Sequence, residues 1–230
     1  MKLLALDTST ECCSVALLMG GAIALRETLT ERAHAELVLP FVDELLRGAG
    51  LAPGDLDGLA FGRGPGAFTG LRIAAGVVQG LAYALGLRVV PVSSLAAVAA
   101  QVPAAAGETI LVCNDARMGE VYWACYLCGP DGLVTVRGNE RVGPPGSIAV
   151  AGGARHVAGN GLVRHPDLRA SLEAQGLRMH DGLYPRADAV ARLGAAGFAA
   201  GLAVAPEEAL PVYVRDEVAT ARGGSVTPLQ

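Results

Sequence analysis

The sequence predicts an α/β protein of two similar halves, and three observations carry that reading. An order of strand, acidic turn, strand, glycine turn, strand occurs twice, over Lys2 to Leu29 and again over Thr109 to Arg137. Between the copies, a strand, a glycine loop, a long proline-free helix and another strand make a βαβ unit. Finally, 230 residues with 52% hydrophobic content and a mean hydropathy of +0.41 supply enough apolar surface for one large domain or two small ones. The expected lobes are residues 1–103 and 104–219, with 220–230 a frayed polar tail.

In the first half, Lys2 to Asp7, Cys13 to Met19 and Ala22 to Leu29 read as antiparallel strands, broken by Asp7-Thr8-Ser9-Thr10 and by Gly20-Gly21. Ala33 to Arg47 carries Leu37, Val38, Phe41, Leu45 and Leu46 at helical spacing, and Gly48 and Gly50 stop it. Pro40 either kinks that helix or lies near its start. Leu56 to Phe61 is a strand feeding Gly62-Arg63-Gly64-Pro65-Gly66, where three glycines and a proline demand a sharp turn. Thr69 is placed to cap a helix over Gly70 to Leu85. At about 100° per residue, Leu71, Ile73, Val77, Val78, Leu81 and Leu85 fill a broad apolar arc, with Arg72 and Gln79 opposite. Gly76 and Gly80, one turn apart, leave a second side nearly without bulk, and Tyr83 and Ala84 follow them. Such a helix is either a core element squeezed between layers or one that receives a partner at close range. Arg88 to Val92 is the closing strand, and Ser93 or Ser94 caps a helix over Leu95 to Gln101.

The second half repeats the meander as Thr109 to Asn114, Glu120 to Leu127 and Leu133 to Arg137. Asp7 to Gly21 spans 14 positions and Asp115 to Gly132 spans 17, close enough to suggest duplication. Gly138 to Gly146 reads as loop and Ser147 to Val150 as a brief strand, while Val157-Ala158 leads into a tight Gly159-Asn160-Gly161 turn. Helices are expected over Pro166 to Gln175 and Ala187 to Leu202, and Pro211 to Arg215 is extended.

Composition excludes several chemistries. Lys2 is the only lysine, so a P-loop is impossible, and there is no G-x-S-x-G or H-E-x-x-H. His34, His156, His165 and His180 include no helical i, i+4 pair. A net charge of −4 without a basic run argues against strong direct binding of RNA or anionic membrane. Five cysteines, among them Cys12-Cys13 and Cys125-x-x-Cys128, read as small buried hydrophobes in a reducing cytoplasm, Cys125 and Cys128 pointing to opposite strand faces. Met1 to Leu6 is too short for a signal-peptide core, and Val89 to Gly107 is too interrupted for a membrane span, so a soluble cytoplasmic protein is expected. Asp7, Thr8 and Ser9 form the one candidate reactive turn: a carboxylate at a strand end with hydroxyl residues after it either holds hydrated Mg²⁺ and phosphates or closes an Asx turn on itself.

The chain resembles the bacterial TsaB (YeaZ-type) family. The likeness runs through Leu4-Ala5-Leu6-Asp7-Thr8-Ser9, His34-Ala35-Glu36-Leu37, Gly64-Pro65-Gly66-Ala67-Phe68-Thr69-Gly70-Leu71-Arg72, Asp115-Ala116-Arg117 with Glu120-Val121-Tyr122, Gly159-Asn160-Gly161 and Pro211 to Arg215. It implies a two-lobed fold of the actin, sugar-kinase and heat-shock ATPase class. It also implies a scaffold without catalytic residues that binds its paralogue TsaD, the transferase acting on the adenosine beside the tRNA anticodon, with the ATPase TsaE joining the complex. The resemblance also implies a difference: TsaD holds its metal with an H-x-x-x-H pair just after the strand that follows the long helix, where this sequence has Ser94-Leu95-Ala96-Ala97-Val98, so no metal and no catalytic residue are expected here. The resemblance places the partner surface on Leu37, Phe41, Leu45, Arg72, Ile73, Gly76, Val77, Gly80, Tyr83 and Ala84. It implies a homodimer through the same surface when the chain is alone, contact with tRNA only through the complex, no membrane, and ATP or ADP with Mg at most at the joint with TsaD. The competing expectation is an autonomous phosphotransferase or ATPase using Asp7 to Ser9; a peptidase lacks a nucleophile and a metal constellation in this sequence.

Overall fold

The computed structural model describes residues 1–150 and 153–215, so the expected tail at 220–230 lies outside the described residues. Strands β1 (Lys2–Asp7), β2 (Cys12–Met19) and β3 (Ala22–Leu29) form the first meander. Helix α1 (His34–Gly48), β4 (Gly58–Gly64), α2 (Phe68–Leu85), β5 (Val89–Ser93) and α3 (Ser94–Ala99) follow. The second half holds β6 (Thr109–Asp115), β7 (Val121–Cys128), β8 (Val134–Gly143), β9 (Ala154–Gly159), α4 (Gly161–Arg164), α5 (Pro166–Ala174), β10 (Arg178–Asp181) and α6 (Ala187–Ala199).

The two sheets share one topology. The first runs β3-β2-β1-β4-β5 and the second β8-β7-β6-β9-β10, each with an antiparallel meander and two parallel strands beyond its first strand. The expected duplication is thus present in strand order and direction. Side chains alternate faithfully: Leu4, Leu6, Val15, Leu17, Leu59 and Phe61 meet α1 and α2, while Leu3, Ala5, Ala16, Ala60 and Val90 meet α6 on the opposite face. On the second sheet Ile110, Val112, Ala124 and Tyr126 pack on α3, and Leu111, Cys113 and Trp123 on α4 and α5. The helices therefore cross over. The boundary near residue 103 separates the sheets, but α3 covers the second sheet and α6 the first. Gly194 and Gly197 permit that exchange, since a Cβ on Gly194 would lie 2.6 Å from Ala60 and one on Gly197 2.7 Å from Val90.

Several local expectations are corrected. Helix α2 begins at Phe68 with Ala67 as its N-cap and no side-chain cap, so Thr69 lies inside the first turn; Leu71 N–H donates to Ala67 O at 2.9 Å instead. Ser93 caps α3, accepting from Ala96 N at 3.1 Å. Pro40 sits well inside α1 on its exposed side, where its ring faces water. Strand β8 continues through Gly138 because that glycine (φ 85°) lies at a register shift opposite Trp123 and Cys125 rather than opening a loop. Ser147 to Val150 forms no strand: Pro145–Ser147 is a 3₁₀ turn and the strand is β9. The polar edge strand β10 carries no apolar alternation that would announce it. All five cysteines are buried and free; Cys125 and Cys128 belong to opposite faces of β7, as their spacing predicts.

Candidate partner interface and interlobe cleft

Helix α2 carries 18 residues of mean hydropathy 1.3, yet it lies in a βαβ crossover with only about a third of that stretch buried. The buried third is one stripe, Gly70, Leu71, Ala74, Ala75, Val78 and Ala82, seated on β4. Ile73, Val77 and Leu81 are half-buried on the flank that adjoins Leu37 and Phe41 of α1. The opposite flank holds the extended segment after α6: Gln79 Nε2 donates to Ala209 O at 3.2 Å, and Arg72 Nε to the Tyr213 hydroxyl at 3.2 Å. The Arg72 guanidinium lies 3.5 Å from the Phe68 ring centroid, and Phe68 and Tyr213 rings are 5.4 Å apart.

Between those flanks runs an open stripe of Thr69, Arg72, Gly76, Gly80, Tyr83 and Ala84. A Cβ built on Gly76 or Gly80 would meet nothing within 4 Å, and Tyr83 stands 84% exposed. Each helical glycine costs about 1 kcal/mol relative to alanine, and no contact among the described residues requires either one. Of the ten positions expected at the partner surface, Arg72, Gly76, Gly80, Tyr83 and Ala84 are exposed, and Leu37, Phe41, Ile73 and Val77 form a half-buried floor beside them. Leu45 does not belong: at 3% exposure it is part of the core under α1. Sequence reasoning missed Phe68, more than half exposed at the start of α2, because the expected helix began two residues later, at Gly70.

The Asp7 turn is closed. Asp7 and Thr8 have no exposure and Ser9 has 1%. Asp7 Oδ1 accepts from Ser9 N (2.8 Å) and Ser9 Oγ (2.6 Å), and Oδ2 accepts from Ser94 Oγ (3.1 Å), the Asx-turn alternative. The glycine loop presses on it: a Cβ on Gly62 would fall 1.7 Å from Asp7 Oδ2, on Gly66 2.3 Å from Ser9 O, and on Gly70 1.9 Å from Thr8 O. Burial pushes the Asp7 carboxyl up to about 6 despite the opposing hydrogen bonds from Ser9 and Ser94. Ser94, at the first position of the H-x-x-x-H comparison, is thus engaged with Asp7, and Val98, at the second, lies in the core.

A cleft of about 800 Å³ opens between the lobes, lined by residues that include Ser9, Thr10, Glu11, Phe68, Asp115, Arg117, Tyr122 and Tyr213. Its charges are matched: Arg117 lies 3.6 Å from Asp115, Arg164 3.4 Å from Glu11, and Arg215 pairs with Glu120. Asp115 ends β6 as Asp7 ends β1, so the two acidic turns occupy equivalent places, one sealed and one facing the cleft. Deeper between the lobes, Glu140 of β8 accepts from Tyr126 (2.9 Å) and Ser93 and lies 3.5 Å from Arg63 of β4.

Comparisons with known proteins agree with this architecture. The family described as TsaD, tRNA N6-adenosine threonylcarbamoyltransferase, matches residues 27–139. A protein of Escherichia coli strain K12 named tRNA threonylcarbamoyladenosine biosynthesis protein TsaB is 39% identical over 226 residues, 95% of this chain and 96% of the relative. The Haemophilus influenzae protein of the same name is 49% identical over 125 residues, 54% of this chain and 53% of that one. The solved structure of YeaZ from Pseudomonas aeruginosa superposes with a TM-score of 0.80 at 42% identity, covering 92% of this chain and 99% of the other. YeaZ neighbours of this kind carry the two-lobed actin and sugar-kinase fold, and the duplicated sheets reproduce it. With a relative this similar over nearly its whole length, the chain belongs to the TsaB (YeaZ-type) family.

Proposed function

We propose that this chain acts in the biosynthesis of tRNA threonylcarbamoyladenosine as a non-catalytic subunit that binds and activates the TsaD transferase through α1 and α2. The observation that carries this reading is the open stripe on α2, where Gly76 and Gly80 weaken the helix without serving any contact among the described residues. A partner helix approaching closely would use both glycines and bury Tyr83 and Phe68. The relatives' printed names supply the pathway. In the absence of TsaD the same face would pair with itself as an isologous dimer. A net charge of −4 fits a subunit that reaches tRNA through its partners, with TsaE joining the assembly in the cytoplasm and any ATP or ADP with Mg bound at the joint.

Light-scattering chromatography of the protein alone and mixed with the TsaD paralogue of the same organism tests the proposal. A homodimer that gives way to a heteromeric species is the expected result. Independent elution with nucleotide and tRNA present would overturn it and return attention to the Asp7 turn.

A further inference from the structure

Far from α2, on the second sheet, Glu108, His156 and His180 form a hydrogen-bonded row. His156 is 2% exposed; its Nε2 lies 3.0 Å from Glu108 Oε2 and its Nδ1 2.9 Å from His180 Nε2. The imidazoles stack with centroids 5.2 Å apart at 27°. Glu108 Oε2 also accepts from Ala105 N at 2.8 Å, so the same carboxylate holds the connection between the lobes. The row ties that connection, through β9, to the edge strand β10, whose register places Arg178 opposite His156 and His180 opposite Ala158.

We propose that Glu108, His156 and His180 are a proton-operated clasp that fastens β10 to the sheet and releases it when the row takes up a second proton. The argument is one of hydrogen positions. With both rings neutral, His156 Nε2–H donates to Glu108 and His180 Nε2–H donates to His156 Nδ1. A first proton goes to His180 Nδ1 and breaks nothing. A second must sit on His156 Nδ1, where an N–H would face the N–H of His180 across 2.9 Å. The bond between the rings is then lost, and β10, four residues long at the sheet edge, keeps only its ladder to β9, the packing of Met179 and the Arg169–Asp181 pair.

The surrounding charges act in both directions. Arg155 of β9 lies 3.8 Å from Glu108 Oε1, and Arg178 on β10 opposes further positive charge. Asp181 of β10 favours a proton on His180, but Arg169 of α5 engages Asp181 at 2.7 Å. Burial, the neighbouring His156 and Arg178 together hold His180 below the ordinary histidine range.

An opened row binds at least one proton more than a closed one, so the opening constant should rise about tenfold per pH unit as pH falls below the ordinary histidine value of about 6.5. Hydrogen exchange of the intact protein between about pH 7.5 and pH 5.5, corrected for intrinsic exchange chemistry, reads this directly. Protection in β10 should fall by about that factor relative to β7, an interior strand of the same sheet. His180→Gln should flatten the dependence, because the amide turns to accept from a protonated His156. Histidine NMR titration of the unaltered protein gives an independent reading, with one proton uptake below the ordinary histidine range. Unchanged β10 protection across this range, an undiminished slope in H180Q, or two independent titrations at the ordinary value would each overturn the proposal.

Discussion

Replacing Gly76 and Gly80 together by alanine separates folding from association with opposite signs. Both residues lie in the middle of α2, and neither new methyl group would meet an atom of the described residues within 4 Å. Alanine restricts the unfolded chain and shields the helix backbone, so each substitution should stabilise the isolated protein by about 1 kcal/mol. The pair should then contribute about 2 kcal/mol, or an increase of about 4–8 °C in Tm for a chain of this size. The measurement is chemical and thermal denaturation at concentrations low enough to hold the protein monomeric, because self-association would otherwise add to the apparent stability. The same methyl groups would hold a partner helix away, so affinity for the TsaD paralogue should fall, and Gly76→Arg or Gly80→Arg should abolish association while leaving the monomer folded. Destabilisation by alanine would mean that the stripe is not open. Paralogue binding at full affinity in both arginine variants would refute the interface itself.

Two further substitutions probe the sealed turn. Gly62→Ala and Gly70→Ala would drive a methyl group to 1.7 Å from Asp7 Oδ2 and 1.9 Å from Thr8 O; each should destabilise by about 1–3 kcal/mol or more in urea denaturation, and full stability in either would contradict the packing. Asp7→Asn tests the buried carboxyl. Its value is raised from 3.8 to about 6, so the native state binds more protons than the unfolded state between those values, and stability from this group is lost as pH rises through that window. About two units correspond to at most about 3 kcal/mol. D7N, which keeps an oxygen for Ser9, should remove that component when unfolding free energies at about pH 4 and pH 7 are compared; parallel pH profiles for the two proteins would refute it.

The duplicated meander was legible because period-2 alternation and turn residues survive in both copies: Leu4 and Leu6 against Leu3 and Ala5, Ile110 and Val112 against Leu111 and Cys113. What could not be read was which sheet each closing helix covers. Helices α3 and α6 are apolar enough to pack on either lobe, and only spatial complementarity, such as Gly197 against Val90, decides that they exchange. The exposed stripe was half legible: two glycines one turn apart marked a close approach, but nothing in the pattern separates a glycine pressed on the turn after β1, as Gly70 is, from one left open among the described residues, as Gly76 is. Leu45 was misplaced for the same reason, since hydrophobic spacing gives the arc of a helix and not which edge of the arc is covered.

The two acidic turns bear on whether the isolated chain has any nucleotide chemistry. At the end of β1, three glycines bring carboxylate and backbone so close that no ligand can reach Asp7 without opening the loop. At the end of β6, Asp115 does face a cleft large enough for a nucleotide, but each charged group lining it among the described residues is neutralised by an opposite charge. A triphosphate entering there would have to displace Asp115 from Arg117 or Glu120 from Arg215, leaving a freed carboxylate to repel the phosphates, with no lysine lining the cleft among the described residues to offset it. Isothermal calorimetry of the isolated protein with ATP and Mg²⁺ should therefore show no binding in the micromolar range. Phe68 and Tyr213 belong at once to the cleft wall and to the edge of the α2 stripe, so a partner seated on α2 would reshape the cleft by moving that tilted ring pair. The expected contrast is nucleotide binding that appears only in the presence of the paralogue. Micromolar binding by the isolated chain, abolished by D115N, would refute the matched-charge argument and revive the reading of an autonomous nucleotide-dependent enzyme.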